Sequence, residues 1–252
     1  MPVPGAERFH AVAGDYARYR PGYPPALVDR VLGIAGLLPP PPGATLVDVG
    51  CGTGISTRAF AARGLRAVGI DPNASMLAEA RAAGGGPEYR EGEAAATGLP
   101  DRCADLVVAA QAFHWFDPGP VLAEFRRLLR PGGRVAVFWN VRRLETPFSR
   151  GYAEALHRFC PGWREVRKDE AALEELRARP EVADRVDLAF DHDDLLGREA
   201  LLGRVRSASY VAHDCTDREG LEREIGRLFE AHASGGRVPW TLRAVGSCFR
   251  LP

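Results

Sequence analysis

The residues best suited to chemistry lie between Asp48 and Asp117. Leu46-Val47-Asp48-Val49-Gly50-Cys51-Gly52-Thr53-Gly54 reads as an apolar strand entering a turn with glycine at alternate positions. Glycine lets a backbone bend sharply and leaves no Cβ on the wall of the turn. A ligand can then lie against the main chain at the carboxyl edge of an open α/β sheet. The carboxylate of Asp48 stands just inside, which suits a ligand with a cationic end. Asp71 closes a second apolar run, Ala67-Val68-Gly69-Ile70, at the position, about 20 residues past the turn, where a ribose-binding carboxylate belongs. It also precedes a helix opened by Pro72 and Asn73, where the helix dipole favours an acid. Gln111-Ala112-Phe113-His114-Trp115-Phe116-Asp117 closes a fourth apolar run, and His114 is its acid–base candidate.

These groups need strands that end together and helices that begin together. Leu46 to Val49 is the first strand, with a helix from Ile55. Ala67 to Asp71 is the second strand, and Glu88 to Ala94 a short third one with an acidic exit. Ala104 to Gln111 is apolar on both faces, as buried parallel strands are. A helix over Val121–Leu129, a turn at Arg130-Pro131-Gly132-Gly133 and a fifth strand over Arg134–Trp139 follow. The alternation is that of a doubly wound α/β sheet. A dinucleotide fingerprint requires G-x-G-x-x-G, and its third place here holds Ile55.

The glycine motif, the acid at the second strand, the Gly92-Glu93-Ala94 stretch, the Q-A-F-H-W-F exit and the L-R-P-G-G turn together resemble the core of class I methyltransferases that use S-adenosylmethionine. Q-A-F-H-W-F-D and the upstream Y-R-P-G-Y-P resemble the branch that includes trans-aconitate methyltransferases, with a type 11 methyltransferase domain. The resemblance covers Tyr16 to Asn140. It implies a seven-stranded, mostly parallel, Rossmann-like sheet, an N-terminal helical lid and a helical insertion after the fifth strand. It implies S-adenosylmethionine as cofactor and direct in-line methyl transfer to a small molecule. Asp48, Gly50, Cys51, Gly52, Thr53 and Gly54 then meet the methionine end, and Asp71 the ribose. Pro72, Met76, Glu93 and Ala94 border the adenine, and Gln111 opens onto the methyl-transfer centre with His114. Tyr16, Tyr19 and Arg20 belong to the lid, whose aromatic faces attract a sulfonium. Trp115, Ser207, Ser209 and Tyr210 are candidates for acceptor contacts.

Composition fits a soluble enzyme. The chain has 252 residues, 46% hydrophobic and 26% charged, with 33 basic and 33 acidic side chains. That is enough for one sizeable core. Neutrality argues against a nucleic-acid substrate, which demands a positive footprint. No run approaches the roughly 20 apolar residues of a membrane span, and Met1 to His10 lacks a secretory apolar stretch. Five cysteines at 51, 103, 160, 215 and 248 show no metal spacing. They read as reduced thiols of a cytoplasmic protein. Asp191-His192-Asp193-Asp194 reads as a polar loop or strand end.

The organisation expected is an arm and lid over residues 1–42, a cofactor core over 43–140 and a helical cap with closing strands over 141–252. Helices are expected at Leu27–Leu38, Phe148–Phe159, Lys168–Arg179, Leu195–Arg206 and Arg218–His232, and strands at Val186–Phe190 and Val238–Phe249. A non-catalytic S-adenosylmethionine-binding protein and an RNA or protein methyltransferase remain as alternatives. Oligomeric state and the acceptor atom are not legible.

Overall fold

A computed structural model of the chain describes residues 12–161, 163 and 168–252. The first eleven residues of the expected arm, and Gly162 with residues 164–167 of the expected linker, lie outside the described residues.

The chain opens with α1 (Ala13–Tyr19) and α2 (Pro25–Ala35). Proline suits the first position of α2, where its missing N–H is no loss. The helix stops before the expected Leu38 because Gly36 takes a left-handed conformation (φ 70°), and its amide bonds back to the Gly33 and Leu32 carbonyls. Then come β1 (Thr45–Val49), α3 (Ile55–Ala61), β2 (Arg66–Asp71), α4 (Ala74–Ala82), β3 (Glu88–Glu91) and β4 (Ala104–Ala110). A short 3-10 turn at Phe113–Trp115 leads to α5 (Pro118–Leu128) and β5 (Leu129–Arg142).

The second half holds α6 (Pro147–Phe159), α7 (Lys168–Ala178), β6 (Ala183–Leu196), α8 (Arg198–Arg206), α9 (Ser209–Asp214), α10 (Arg218–His232) and β7 (Val238–Arg250). The seven strands form one sheet in the order β3-β2-β1-β4-β5-β7-β6, with the pairs among β1 to β5 parallel. Order reverses at β1, which lies between β2 and β4. That is the switch point where open α/β sheets leave a crevice at their carboxyl ends.

Other boundaries also differ from expectation: β3 ends at Glu91 rather than Ala94, and α5 begins at Pro118 rather than Val121. The Arg130–Gly133 turn is a bulge inside β5: Ala104 pairs with Leu129 and Leu106 with Arg134, so the extra residues loop out between them. β6 extends to Leu196, past the expected Phe190, so Asp191–Asp194 form the end of a strand, one of the two readings of that stretch. α8 therefore begins at Arg198, after an extended Gly197, and not at Leu195. Ser207 caps α8, and Ser209 opens α9 instead of lying in a loop.

The chain divides into two compact units. One comprises Gly22–Asn140, Arg167–Phe190 and Ala244–Pro252. Its core packs Leu27, Val31, Leu46, Phe60, Leu106 and Phe138 around the inner strands. The other comprises Met1–Pro21, Val141–Val166 and Asp191–Arg243. Its core is built from Tyr152, Leu156, Leu201, Ile225, Phe229 and Trp240. Among the described residues no helix is long and apolar enough to cross a membrane, and all five cysteines are free.

Candidate cofactor cradle and acceptor residues

Within the β1–β5 unit the glycine turn is pinned to the sheet by its own backbone. The amides of Gly50 and Cys51 both donate to the Ile70 carbonyl, at 2.8 and 3.0 Å. All three glycines are left-handed, with φ of 72°, 54° and 74° at Gly50, Gly52 and Gly54. Their roles differ. A Cβ on Gly50 would stand 2.6 Å from the Ala112 Cβ and 2.9 Å from the Phe116 ring, and one on Gly54 would overlap the Tyr89 phenol. A Cβ on Gly52 would meet only the Met76 methyl, at 3.3 Å. Two of the glycines are thus demanded by packing, and Gly52 alone presents a bare backbone.

Asp48 is fully buried. Its Oδ2 accepts from the Ser56 and Thr57 hydroxyls at 2.6 and 2.7 Å, while Oδ1 is buried with no partner among the described residues. Burial pushes its pKa up to about 6, against the lowering effect of the two hydroxyls. Thr53 Oγ1 is a second buried polar atom with no partner among the described residues. A buried carboxylate oxygen and a hydroxyl left over at one glycine turn fit the ammonium and carboxylate of an amino-acid end. The donor set therefore fits the methionine end of S-adenosylmethionine. Cys51 is buried, and burial raises its thiol well above the ordinary value, so it fills space rather than attacking.

Asp71 sits across the turn. Its Oδ2 accepts from the Gly52 amide at 2.8 Å and its Oδ1 from the Asn73 amide at 2.9 Å. Each oxygen keeps a second lone pair for a hydroxyl. Burial raises its pKa, opposed by these two amides. Asn73 then caps α4, accepting from the Ser75 and Met76 amides at 3.0 and 3.1 Å. Met76 is buried beside Gly52, and Pro72 is half-buried.

Glu93 is exposed and Ala94 half-buried, in a turn that the Ala96 amide closes onto the Glu93 carbonyl at 3.0 Å. That loop is tied down by Glu124, which accepts from the Thr97 amide and hydroxyl at 2.9 and 2.6 Å. Arg127, Thr97 and their hydrogen bonds hold the Glu124 carboxyl down at about 2.

Gln111 is a left-handed non-glycine residue (φ 60°) at the end of β4. Its amide donates to the Phe138 carbonyl at 2.8 Å, and its Oε1 accepts from the Asn140 amide at 2.9 Å. Such a conformation costs about 1–3 kcal/mol and concentrates at functional positions. His114 follows in the 3-10 turn, and its Nδ1 accepts from Trp139 Nε1 at 2.9 Å. Trp115 packs on it, ring centroids 4.9 Å apart, and is one of the exposed large hydrophobic residues.

The remaining candidates belong to the other unit. Tyr19 rests on Gly203 and donates to Glu199 Oε1 at 2.9 Å. Arg20 lies over the Tyr16 ring at 4.9 Å and donates to the Ser207 carbonyl at 3.2 Å. Ser207 is buried and donates to the Arg204 carbonyl at 2.8 Å. Ser209 and Tyr210 are half-buried, and Arg142 Nη2 reaches the Tyr210 hydroxyl at 3.4 Å. Arg142, Arg204 and Tyr152, all in this unit, were not legible as candidates. Ser56 and Thr57 were also missed, although two hydroxyls opening the helix after a strand acid are a readable signal.

A parallel sheet with its reversal at β1, a glycine turn there and an acid at the end of β2 define a class I methyltransferase fold. Residues 47–137 match the family described as a methyltransferase domain. The chain carries a methyltransferase domain over that segment, and its sheet is that of the Rossmann-like methyltransferases to which it is similar. It is 40% identical over 134 residues to an uncharacterised methyltransferase of Mycobacterium bovis, covering 53% of this chain and 52% of that protein. It is 34% identical over 134 residues to the malonyl-[acyl-carrier protein] O-methyltransferase of Pectobacterium atrosepticum, covering 52% and 51%. The match thus spans about half the length of these curated relatives. A solved structure from Anaeromyxobacter dehalogenans, under the provisional name of type II methyltransferase, superposes with a TM-score of 0.69 at 25% identity, over 92% of this chain and 97% of that one. These relatives do not single out the trans-aconitate branch.

Proposed function

We propose that this protein is a methyltransferase that moves a methyl group from S-adenosylmethionine to a small-molecule acceptor by direct in-line displacement. The observation that carries the reading is the cradle: an unpartnered buried Asp48 oxygen behind a glycine turn, faced by Asp71. When bound, the cofactor supplies a methyl group made electrophilic by its sulfonium. The chain's own residues bind and orient. Asp48 takes the ammonium, which completes the pairing that its buried carboxylate lacks. Asp71 takes the two ribose hydroxyls while holding the Gly52 amide. Met76 and Pro72 offer apolar surface to the adenine, with Glu93 and Ala94 at its polar edge. Gln111, fixed by Asn140, borders the transfer centre.

No base chemistry is assigned to His114. A neutral imidazole whose Nδ1 accepts a hydrogen bond carries its proton on Nε2. Its role in this reading is positioning. The reading needs no enzyme nucleophile, and alignment with exclusion of water supplies the rate.

A carrier-bound acyl group is the second reading of the acceptor, favoured by the likeness to the Pectobacterium enzyme. The free thiols support a cytoplasmic setting. The test is methyl transfer from labelled S-adenosylmethionine to small-molecule extracts and to acyl-carrier protein, with mass spectrometry of the product. Binding of the cofactor without transfer to either pool would leave the chain a binding protein. Equal affinity for nicotinamide dinucleotides would overturn the cradle assignment.

A further inference from the structure

The unit built from residues 12–21, 141–163 and 191–243 contains a cluster of arginines that the cofactor cradle does not use. Arg20 follows α1, Arg142 ends β5 and Arg204 lies on α8. They share partners. The Arg142 guanidinium carbon lies 4.2 Å from the Tyr152 ring centroid and 4.9 Å from that of Trp240, and the Arg204 carbon lies 5.5 Å from the same indole. Arg20 donates to the Ser207 carbonyl, and Ser207 donates to that of Arg204. Arg20 and burial both disfavour the charge on Arg204, which Asp194 supports.

Four guanidinium nitrogens here are buried without a hydrogen-bond partner among the described residues: Nε of Arg20, Arg142 and Arg204, and Nη1 of Arg204. The Arg204 side chain is only 8% exposed. Buried N–H groups of a cation are costly to leave unmade, and native structures rarely leave several together. Among the described residues Asp194 is the one carboxylate bonded to the three arginines. Stacking on Tyr152 and Trp240 accounts for the flat faces of Arg142. It leaves the edges, and guanidinium edges are what carboxylates and phosphates engage. Burial also holds the Tyr152 phenol neutral, so it adds no competing negative charge.

We propose that Arg20, Arg142 and Arg204, with the Tyr152 and Tyr210 hydroxyls, form a binding site for a multiply charged oxyanion, the carboxylates or phosphate of a small molecule. Three cations against one carboxylate favour a dianion over a monoanion. The planar fork of each arginine favours trigonal or tetrahedral oxygens over chloride.

The full chain is titrated by calorimetry with citrate, succinate and inorganic phosphate against sodium chloride at matched ionic strength, with S-adenosylhomocysteine measured alongside. At least one oxyanion is expected to bind well above chloride. Arg142→Lys keeps the charge and loses the fork, and Arg20→Gln loses both. Each is expected to weaken that binding about 10-fold or more, and Arg142→Lys to leave S-adenosylhomocysteine affinity unchanged. Citrate or succinate binding without phosphate identifies a carboxylate ligand, and the reverse a phosphate. In the unsubstituted protein the arginine Nε–H resonances of the cluster are expected to shift with the same ligand, which tests the site even where a variant fails to fold. No oxyanion binding above chloride, affinity untouched by both substitutions, or unmoved Nε–H resonances would each overturn the proposal. Arginine-dependent oxyanion binding with no S-adenosylhomocysteine binding would keep the site and sink the methyltransferase reading instead.

Discussion

The indole N–H of Trp139 donates to His114 Nδ1 at 2.9 Å, joining the end of β5 to the turn after β4. Trp139 is fully buried, so the histidine is the acceptor that its N–H uses inside the protein. His114→Ala strands that donor, which costs roughly 1–3 kcal/mol. Urea unfolding is expected to show that loss. Once an acceptor is known, the single-turnover rate is expected to fall by about 10-fold through lost positioning. A fall of ~10²–10⁴-fold with an acidic limb near the ordinary imidazole pKa would restore the base role.

Asp71 shapes the turn and, in the proposed reading, holds the ribose. Asp71→Ala removes two ribose acceptors, one of them charged, and weakens S-adenosylhomocysteine binding by on the order of 2–4 kcal/mol. It also frees the amides of Gly52 and Asn73, so melting temperature falls too. Calorimetry with a folded variant checks the first effect, and unchanged affinity would place the ribose elsewhere.

The buried carboxyl of Asp48 gives a pH dependence of definite sign. Its folded pKa is raised from 3.8 to about 6. The folded state therefore favours the protonated form. The contribution is fully present below pH 3.8 and is lost as pH rises through about 6. A shift of roughly two units corresponds to ~3 kcal/mol. Asp48→Asn is expected to abolish this loss, read as the difference between the two stability curves from pH 4 to 7. Binding of a ligand with an ammonium group near pH 6 is expected to release a proton, visible as a buffer-dependent heat of binding. Parallel stability curves, or a heat independent of buffer, would remove Asp48 from the ammonium site.

Gly50 and Gly52 separate folding from binding. Gly50→Ala combines a left-handed backbone with overlap on Ala112 and Phe116, and strain of ~1–2 kcal/mol from φ alone adds to the overpacking. A large drop in melting temperature is expected. Gly52→Ala carries similar backbone strain but meets only the mobile Met76 methyl. It is expected to fold and to bind S-adenosylhomocysteine at least 10-fold more weakly, since a methyl group then covers the bare backbone. Equal melting temperatures for the two variants would show that packing does not set them apart.

The first half of the chain was legible because its signals are local. The first strand with Asp48 in it, the glycine turn after it and a helix opened by Pro72 and Asn73 each follow from a few neighbouring residues, and the doubly wound sheet follows from their alternation. What stayed hidden depends on residues far apart in the chain. The bulge in β5 arises from register against β4, and β6 runs through an acidic stretch that, read alone, fits a loop or a strand end equally. Nothing local shows that Gly50 faces Ala112, that His114 spends its Nδ1 on Trp139, or that Arg142 and Arg204 gather at Trp240 while Arg20 reaches the Ser207 carbonyl. Periodicity and turn chemistry act over a few residues and can be read from order alone. Burial, desolvation and the pairing of polar atoms are settled only when distant segments pack, and so tertiary structure decided which charged groups were left without partners.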